Sequence, residues 1–289
     1  MREQKLVDIS ESCFIDPDYK AAFSKLGLTS IDDVFSFKAG RNLAKNNLAK
    51  YRSRVQFEIN APAVTVYLKR YDRPPISVQL RNWLAARSRT SCGLLNFKSA
   101  DALAAAGIHT PKTLFYGEQW GTSFEKRSFI ITEKIPNAES LERRLPGFFS
   151  GLTTVENIKL RRDFIAQLAV FVKKFHETGY CHRDLYLSHI FHSDSGDFYL
   201  IDLARAFKPG VRRRRFLIKD IAQVYYSARS QYFSKTDRLR FYITYVGRQK
   251  LTRKDKAFIR KVINRAKRMA RHDMRHSRPV PFESRPDSA

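Results

Sequence analysis

Between Gly179 and Phe207 the sequence reads GYCHRDLYLSHIFHSDSGDFYLIDLARAF. Two apolar stretches flank a turn at Ser195 and Gly196, and each carries one acid, Asp184 or Asp202, at a loop end. Phosphoryl transfer from a nucleotide needs one carboxylate to receive the proton of the acceptor hydroxyl. It needs a second to hold the cation that neutralises the phosphates. Two aspartates on successive loops meet that need. An isolated aspartate is more often a surface carboxylate or a helix cap, so the elements around the pair decide its meaning. His176, His182, His189 and His192 crowd the same span and offer a competing metal-site reading, since imidazole is a common ligand.

The elements that must position these acids can be traced along the chain. YRSRVQFEI and AVTVYLKRY alternate apolar with polar residues around a break at Asn60, Ala61 and Pro62, the pattern of two antiparallel strands, with Lys69 near the end of the second. Pro74 and Pro75 stop that strand. SADALAAAGIHTPK then has Ala and Leu at helical spacing and ends at Gly107, a good C-cap. TLFYGEQW and RSFIITEKI predict a further hairpin, interrupted at Pro136 and Asn137, which reads as a hinge. From Asn157 to Thr178, Phe164, Ile165, Leu168, Phe171, Val172 and Phe175 recur with the helical period, predicting a long amphipathic helix closed by Gly179. Turn formers Asn46 and Asn47 predict a hairpin in the segment before the first strand pair.

These readings predict an α+β protein of two lobes: an N-lobe of antiparallel sheet with one helix, and a mainly helical C-lobe. The expected boundaries are a leader over 1–29, an N-lobe over 30–134, a hinge and C-lobe over 135–272, and a mobile basic tail over 273–289.

His182-Arg183-Asp184, followed 18 residues later by the Asp of IDL, resembles the catalytic and metal-binding loops of protein kinases. More narrowly, HRDLYLSHIF with IDLARA resembles the lipopolysaccharide kinase family of heptose and Kdo kinases, which carries a histidine where protein kinases have the catalytic-loop asparagine. His189 holds that place, five residues after Asp184. The similarity extends through YLKRYDRPP, AAAGIHTPKTLFYGE, ITEKIPNAESL and IKDIAQVYYSA, over residues 30–235. It implies a kinase-like fold with ATP and Mg²⁺ between the lobes. Asp184 would be the catalytic base, with His182 and Arg183 in its loop. Lys69 would lie on the nucleotide phosphates, Glu133 and Asp202 on the nucleotide side, and Asp220 would brace the catalytic loop. Asp202 and His189 are the implied metal residues. Because Mg²⁺ prefers oxygen donors, His189 serves equally well as a group orienting Asp184 or the phosphates. A one-residue slip would substitute Arg70 for Lys69; the pattern favours Lys69.

Two departures from the kinase pattern stand out. The position that would pair with Lys69 is held by Asn96, which can accept a hydrogen bond but cannot form a charge-assisted pair. The segment from Lys38 to Lys50 contains only Gly40, too few glycines to wrap phosphates with successive backbone N–H groups. Lys38, Lys45 and Lys50 are equal candidates to supply charge instead.

Composition sets the outer limits. With 289 residues, 43% hydrophobic, the chain can bury a core. It has no apolar run of membrane-spanning length and no apolar signal core, so a cytoplasmic location is expected. Cys13, Cys92 and Cys181 are scattered and odd in number, which argues against disulfides or zinc. The formal net charge of +26 draws polyanions, making an anionic inner-membrane surface a candidate partner. Arg212–Arg215 and the basic amphipathic stretch LTRKDKAFIRKVINRAKRMARHD are the candidate contacts, though such a stretch more often packs on its own domain. Nucleic acid ranks lowest, because no aromatic cluster suited to base stacking accompanies the arginines. Within those limits the family resemblance implies an ATP-dependent kinase acting on a lipopolysaccharide core sugar. The alternatives are a noncatalytic kinase-fold module binding membrane or polyanion, and a kinase for a protein or another small molecule. Oligomeric state is left open.

Overall fold

The computed structural model describes residues 6–43, 49–60, 62–149 and 155–281. The turn expected at Asn46 and Asn47, Lys45, Ala61 and the tail end over 282–289 lie outside them. The chain divides into two compact units, Met1–Pro136 with Asp202–Phe207, and Asn137–Ile201 with Lys208–Ala289.

The first unit is built on a seven-stranded antiparallel sheet. Its strands are β1 (Val7–Ser10), β2 (Cys13–Ile15), β3 (Arg41–Asn42), β4 (Arg52–Asn60), β5 (Ala63–Asp72), β6 (Thr113–Trp120) and β7 (Glu125–Glu133), in the order β1-β2-β6-β7-β5-β4-β3. Side chains alternate across the pleat. Val55, Phe57 and Ile59 of β4 and Val66 and Leu68 of β5 fill one core with Phe115, Phe129 and Ile131. Each such side chain contributes about 1.5–3 kcal/mol on burial. Arg52 and Arg54, the residues of opposite parity on β4, therefore share the other face with their cross-strand partners Tyr71 and Lys69.

Four helices join this sheet where one was expected: α1 (Lys20–Lys25), α2 (Ile31–Ser36), α3 (Ile76–Ala86) and α4 (Cys92–Ala105). The first two are six-residue pieces; a reciprocal capping box between Ser30 and Asp33 starts α2. The third hid from the periodicity because its pattern is inverted: Gln79 and Asn82 are buried while Ile76, Leu80 and Leu84 are exposed. The segment expected to be a leader also has structure, since β2 pairs with β6 and buries Cys13 and Ile15.

In the second unit β8 (Ala138–Ser140), β9 (Ile190–Ser193) and β10 (Phe198–Leu200) form a small antiparallel sheet in the order β10-β9-β8. Around it lie α5 (Leu141–Phe149), α6 (Val155–Glu177), α7 (Arg213–Ser227), α8 (Lys235–Val246) and α9 (Arg253–Arg275). The expected stripe on α6 is inward: Phe164, Ile165, Leu168, Val172 and Phe175 are buried. On α9 the apolar positions Phe258, Val262, Ala266 and Ala270 are likewise buried, and the helix packs on α7. Its apolar stripe is thus occupied by its own unit and is not free to enter a membrane. α9 runs to Arg275, into the expected mobile tail, and Val280 packs against Tyr226, Ala266 and Ala270. Among the described residues no helix is long and apolar enough to cross a membrane.

Candidate active site

Lys69 sits on β5 with its side chain almost enclosed, and its ammonium lies 3.6 Å from an Asp202 carboxylate oxygen. Arg54 donates to the other oxygen of Asp202 at 3.0 Å, and Arg52 reaches to 4.0 Å. Three cations thus converge on one carboxylate. Burial pushes the Lys69 pKa below its ordinary value; Asp202 opposes the shift and the two arginines add to it. Asp202 itself takes a left-handed backbone conformation, φ +58°, at the start of the short Leu203–Arg205 turn that packs on α4.

The alternative register through Arg70 is excluded by the fold. Arg70 points to the opposite face of β5, where it donates to the carbonyls of Val34 at 2.7 Å and Phe37 at 2.5 Å and ties α2 to the sheet. No hydrogen bond joins Asn96 to Lys69 among the described residues. Asn96 is buried on α4, its amide nitrogen has no hydrogen-bond partner, and Lys69 turns instead to a carboxylate, the stronger partner for an ammonium. Gly40 serves packing: a Cβ there would meet the Gln56 carbonyl oxygen at 2.6 Å. Glu133 ends β7, its backbone N–H donating to Lys112 O at 2.9 Å, and burial raises its carboxyl pKa against the pull of Lys112.

In the second unit Asp184 lies on a loop held from α7. Fully buried Asp220 accepts the backbone N–H of His182 at 2.7 Å and of Arg183 at 2.8 Å, and meets His176 Nε2 at 3.3 Å. Arg183 has φ +70°, an uncommon conformation for a side-chain-bearing residue. Its carbonyl accepts from Gln223 Nε2 at 3.0 Å and from Lys219 Nζ. Gln223 Oε1 also accepts from Leu185 N at 3.0 Å, and Ser227 Oγ from Leu187 N at 3.0 Å. Lys219 Nζ lies 3.7 Å from the Asp184 carboxylate. Sequence reasoning missed Lys219, Gln223 and Ser227, although their spacing by four residues on the helix of Asp220 puts all of them on one face.

His189 Nδ1 lies 2.7 Å from the Asp184 backbone carbonyl. A carbonyl can only accept, so Nδ1 carries the proton, and a neutral ring leaves the Nε2 lone pair available. His182 Nε2 bonds the carbonyl of Ile201 at 2.9 Å, the residue before Asp202 in the chain. The four-histidine metal reading fails: His176 bonds Tyr245 at 2.9 Å and Asp220, while His192 is packed between Phe164 and Phe198. No group of three or more His, Cys, Asp or Glu able to hold a metal occurs among the described residues.

A sheet lysine 3.6 Å from the Asp202 carboxylate in one unit, and a helix acid fixing the backbone of the Asp184 loop in the other, sit on an antiparallel sheet and a helical unit of the protein-kinase-like fold. Comparison with solved structures agrees: a structure described as WaaP in complex with acyl carrier protein matches with a TM-score of 0.65 at 21% identity, covering 92% of this chain and 99% of that one. Residues 49–245 match the model of the lipopolysaccharide kinase (Kdo/WaaP) family, and the chain belongs to that family. It is 27% identical over 203 residues to the lipopolysaccharide core heptose(I) kinase WaaP of Escherichia coli (strain K12), spanning 68% of this chain and 75% of the relative. The Pseudomonas aeruginosa protein of the same name is 30% identical over 181 residues, 58% of this chain and 64% of its own length. The expected fold class and the expected class of reaction, phosphoryl transfer to a hydroxyl acceptor with ATP as donor, both hold.

Proposed function

We propose that this protein transfers the γ-phosphoryl group of ATP to a hydroxyl of a heptose or Kdo residue of the lipopolysaccharide core, with Asp184 as proton acceptor. The observation that carries this reading is the brace on the Asp184 loop, Asp220 bonding the backbone N–H groups of both residues before the base. Such fixation holds a carboxylate where an incoming hydroxyl can be oriented for in-line attack. The acceptor oxygen attacks phosphorus, its proton goes to Asp184, and ADP leaves.

Lys69, with Arg52 and Arg54 on the same sheet face, offers positive charge to the phosphates, the role a glycine-rich loop shares elsewhere. Asp202 fits Mg²⁺, which in nucleotide sites takes one or two carboxylates and completes its shell with phosphate oxygens and water. When bound, that ion neutralises charge on the transferring group. The arginines and Lys69 hold Asp202 by charge and can turn to the phosphates when the nucleotide arrives. His189, bonded to the Asp184 carbonyl, orients the base; its Nε2 is a weaker candidate metal donor than the Asp202 carboxylate. Glu133, at the end of β7, is assigned to the nucleotide side.

The test is transfer from labelled ATP to dephosphorylated core oligosaccharides, with products read by mass spectrometry. Transfer that disappears in Asp184→Ala, with an unchanged circular dichroism spectrum, supports the reading. ATP binding without transfer to any heptose- or Kdo-containing core fragment refutes it.

A further inference from the structure

The inverted amphipathicity of α3 sets it apart from the other long helices. Gln79 donates to the Pro74 carbonyl at 2.8 Å and accepts from Glu125 N at 2.7 Å, and Asn82 lies 3.4 Å from the Cys92 sulfur, so polar side chains anchor the helix to its unit. The apolar residues stand outward. Ile76 is 54%, Leu80 46% and Leu84 82% exposed, and their spacing of four residues aligns them along one side. Phe124 is also exposed and stacks on Trp83 at 5.6 Å, with Trp120 at 6.4 Å from Trp83. These are the chain's two tryptophans, and both are only partly buried.

Charge surrounds this row. Arg73, Arg81, Arg87 and Arg89 are all exposed, and the run from Arg73 to Ser91 contains no Asp or Glu. Arg89 also lies over the Trp120 ring at 4.2 Å. We propose that α3 and the Phe124 turn form a docking surface for an anionic lipid bilayer, with Ile76, Leu80 and Leu84 entering the interface and the four arginines on the headgroups.

Three features favour that occupant. Exposed apolar residues bordered by arginines match the polarity profile of a bilayer surface. The row follows a single helix, a shape that a fluid apolar phase accepts without a matching groove. A second copy would bring the same four arginines against themselves across a symmetric contact, with no acid in the run to pair them. The proposal rests on the proposed function only for the source of the bilayer, a lipid-linked acceptor; binding is measured without acceptor or nucleotide.

The full chain is titrated with vesicles of phosphatidylglycerol and phosphatidylethanolamine, and separately with phosphatidylcholine, while tryptophan emission and co-sedimentation are followed. Anionic vesicles are expected to shift the emission to the blue and to pellet the protein, with binding weakened by added salt. Leu80→Glu/Leu84→Glu is expected to lower partitioning tenfold or more, on the order set by losing two buried leucines. Because both side chains are exposed, its melting temperature and its transfer to a soluble core oligosaccharide should be unchanged. Arg81→Glu/Arg87→Glu should weaken anionic binding without altering the weak neutral background. Equal binding to neutral vesicles, or undiminished anionic binding by the leucine variant, overturns the proposal. So does a wild-type dimer dissolved by the leucine variant, which would give the face to a second copy, or capture of an acidic protein with no vesicle binding. Loss of transfer activity with vesicle binding intact would count against the kinase reading alone.

Discussion

The two aspartates are held in opposite ways. Asp202 is gripped by charge, with Lys69, Arg54 and Arg52 at 3.6, 3.0 and 4.0 Å and its carboxylate partly open to solvent. Asp184, with Lys219 at 3.7 Å from its carboxylate, owes its place chiefly to backbone hydrogen bonds that fix the loop beneath it, through Asp220. A charge clamp is adjustable, because cations can exchange one anion for another. A hydrogen-bonded backbone is a fixed mount that demands one geometry. The proposed nucleotide-side role of Asp202 suits the first, and the proposed base role of Asp184, which would meet one hydroxyl, suits the second.

The largest effect should come from removing the proposed base on the fixed mount. Asp184→Ala is expected to lower kcat by about 10²–10⁴-fold, with ATP affinity nearly unchanged, as separate transfer and nucleotide-binding assays would register. A variant retaining a tenth of the activity would mean the mount carries something other than the base.

Next comes the mount. Asp220→Asn replaces one accepting oxygen with an NH₂ group facing a backbone N–H, and should cost about 3 kcal/mol of stability in denaturant titration. Asp220→Glu keeps the charge but displaces it, and should also be strongly destabilised. If Asp220→Glu behaved like wild type, charge rather than geometry would hold the loop.

On the charge-held side the outcome should reverse, since geometry matters less there. Arg54→Ala should raise KM for ATP on the order of tenfold, the scale of one charged hydrogen bond, with kcat little altered, whereas Arg54→Lys should recover most of the loss. Raising ionic strength should increase KM for ATP in wild type and leave kcat nearly constant. Equal damage from Ala and Lys at this position would erase the distinction between the two aspartates.

The smallest effect concerns pH. Burial pushes Lys69 below the ordinary lysine value of 10.5, so if Lys69 holds the phosphates as proposed, the alkaline fall in kcat/KM for ATP should begin below that value, as the free enzyme loses that charge. The linkage has a definite sign. Between the folded and unfolded values the unfolded chain binds the proton more tightly, so Lys69 opposes folding at lower pH and that penalty fades as pH rises towards 10.5. A pH–rate profile over the alkaline range would reveal the limb, and Lys69→Arg should move it upward.

Much of this site was legible because strands and loops with strict periods announce themselves. The alternation of β5 placed Lys69 near a strand end and the family resemblance singled it out over Arg70, while Asp184 and Asp202 stood out from two apolar stretches that end in acids. Arg54 was not, because only cross-strand register puts it beside Lys69, and register depends on pairing that one strand's sequence does not contain. Lys219 and Gln223 were hidden for a related reason: helical spacing gives a face but not what the face touches. The same limit explains α3 and α9. Both combine arginines with apolar residues, yet α9 turns its apolar side inward and α3 outward, and periodicity alone cannot tell these apart. The first strands were overlooked because β1 and β2 span four and three residues, too short for alternation to register.

Those two short strands matter to anyone who wishes to shorten the protein. β2 covers the outer flank of β6 through pairs from Cys13 with Gly117 to Ile15 with Phe115. A fragment starting at residue 30 would leave the N–H and C=O groups of β6 bare, an invitation to intermolecular strand addition. Such a truncation should be recovered as aggregate even though Lys69, Arg52, Arg54 and Asp202 are all still present.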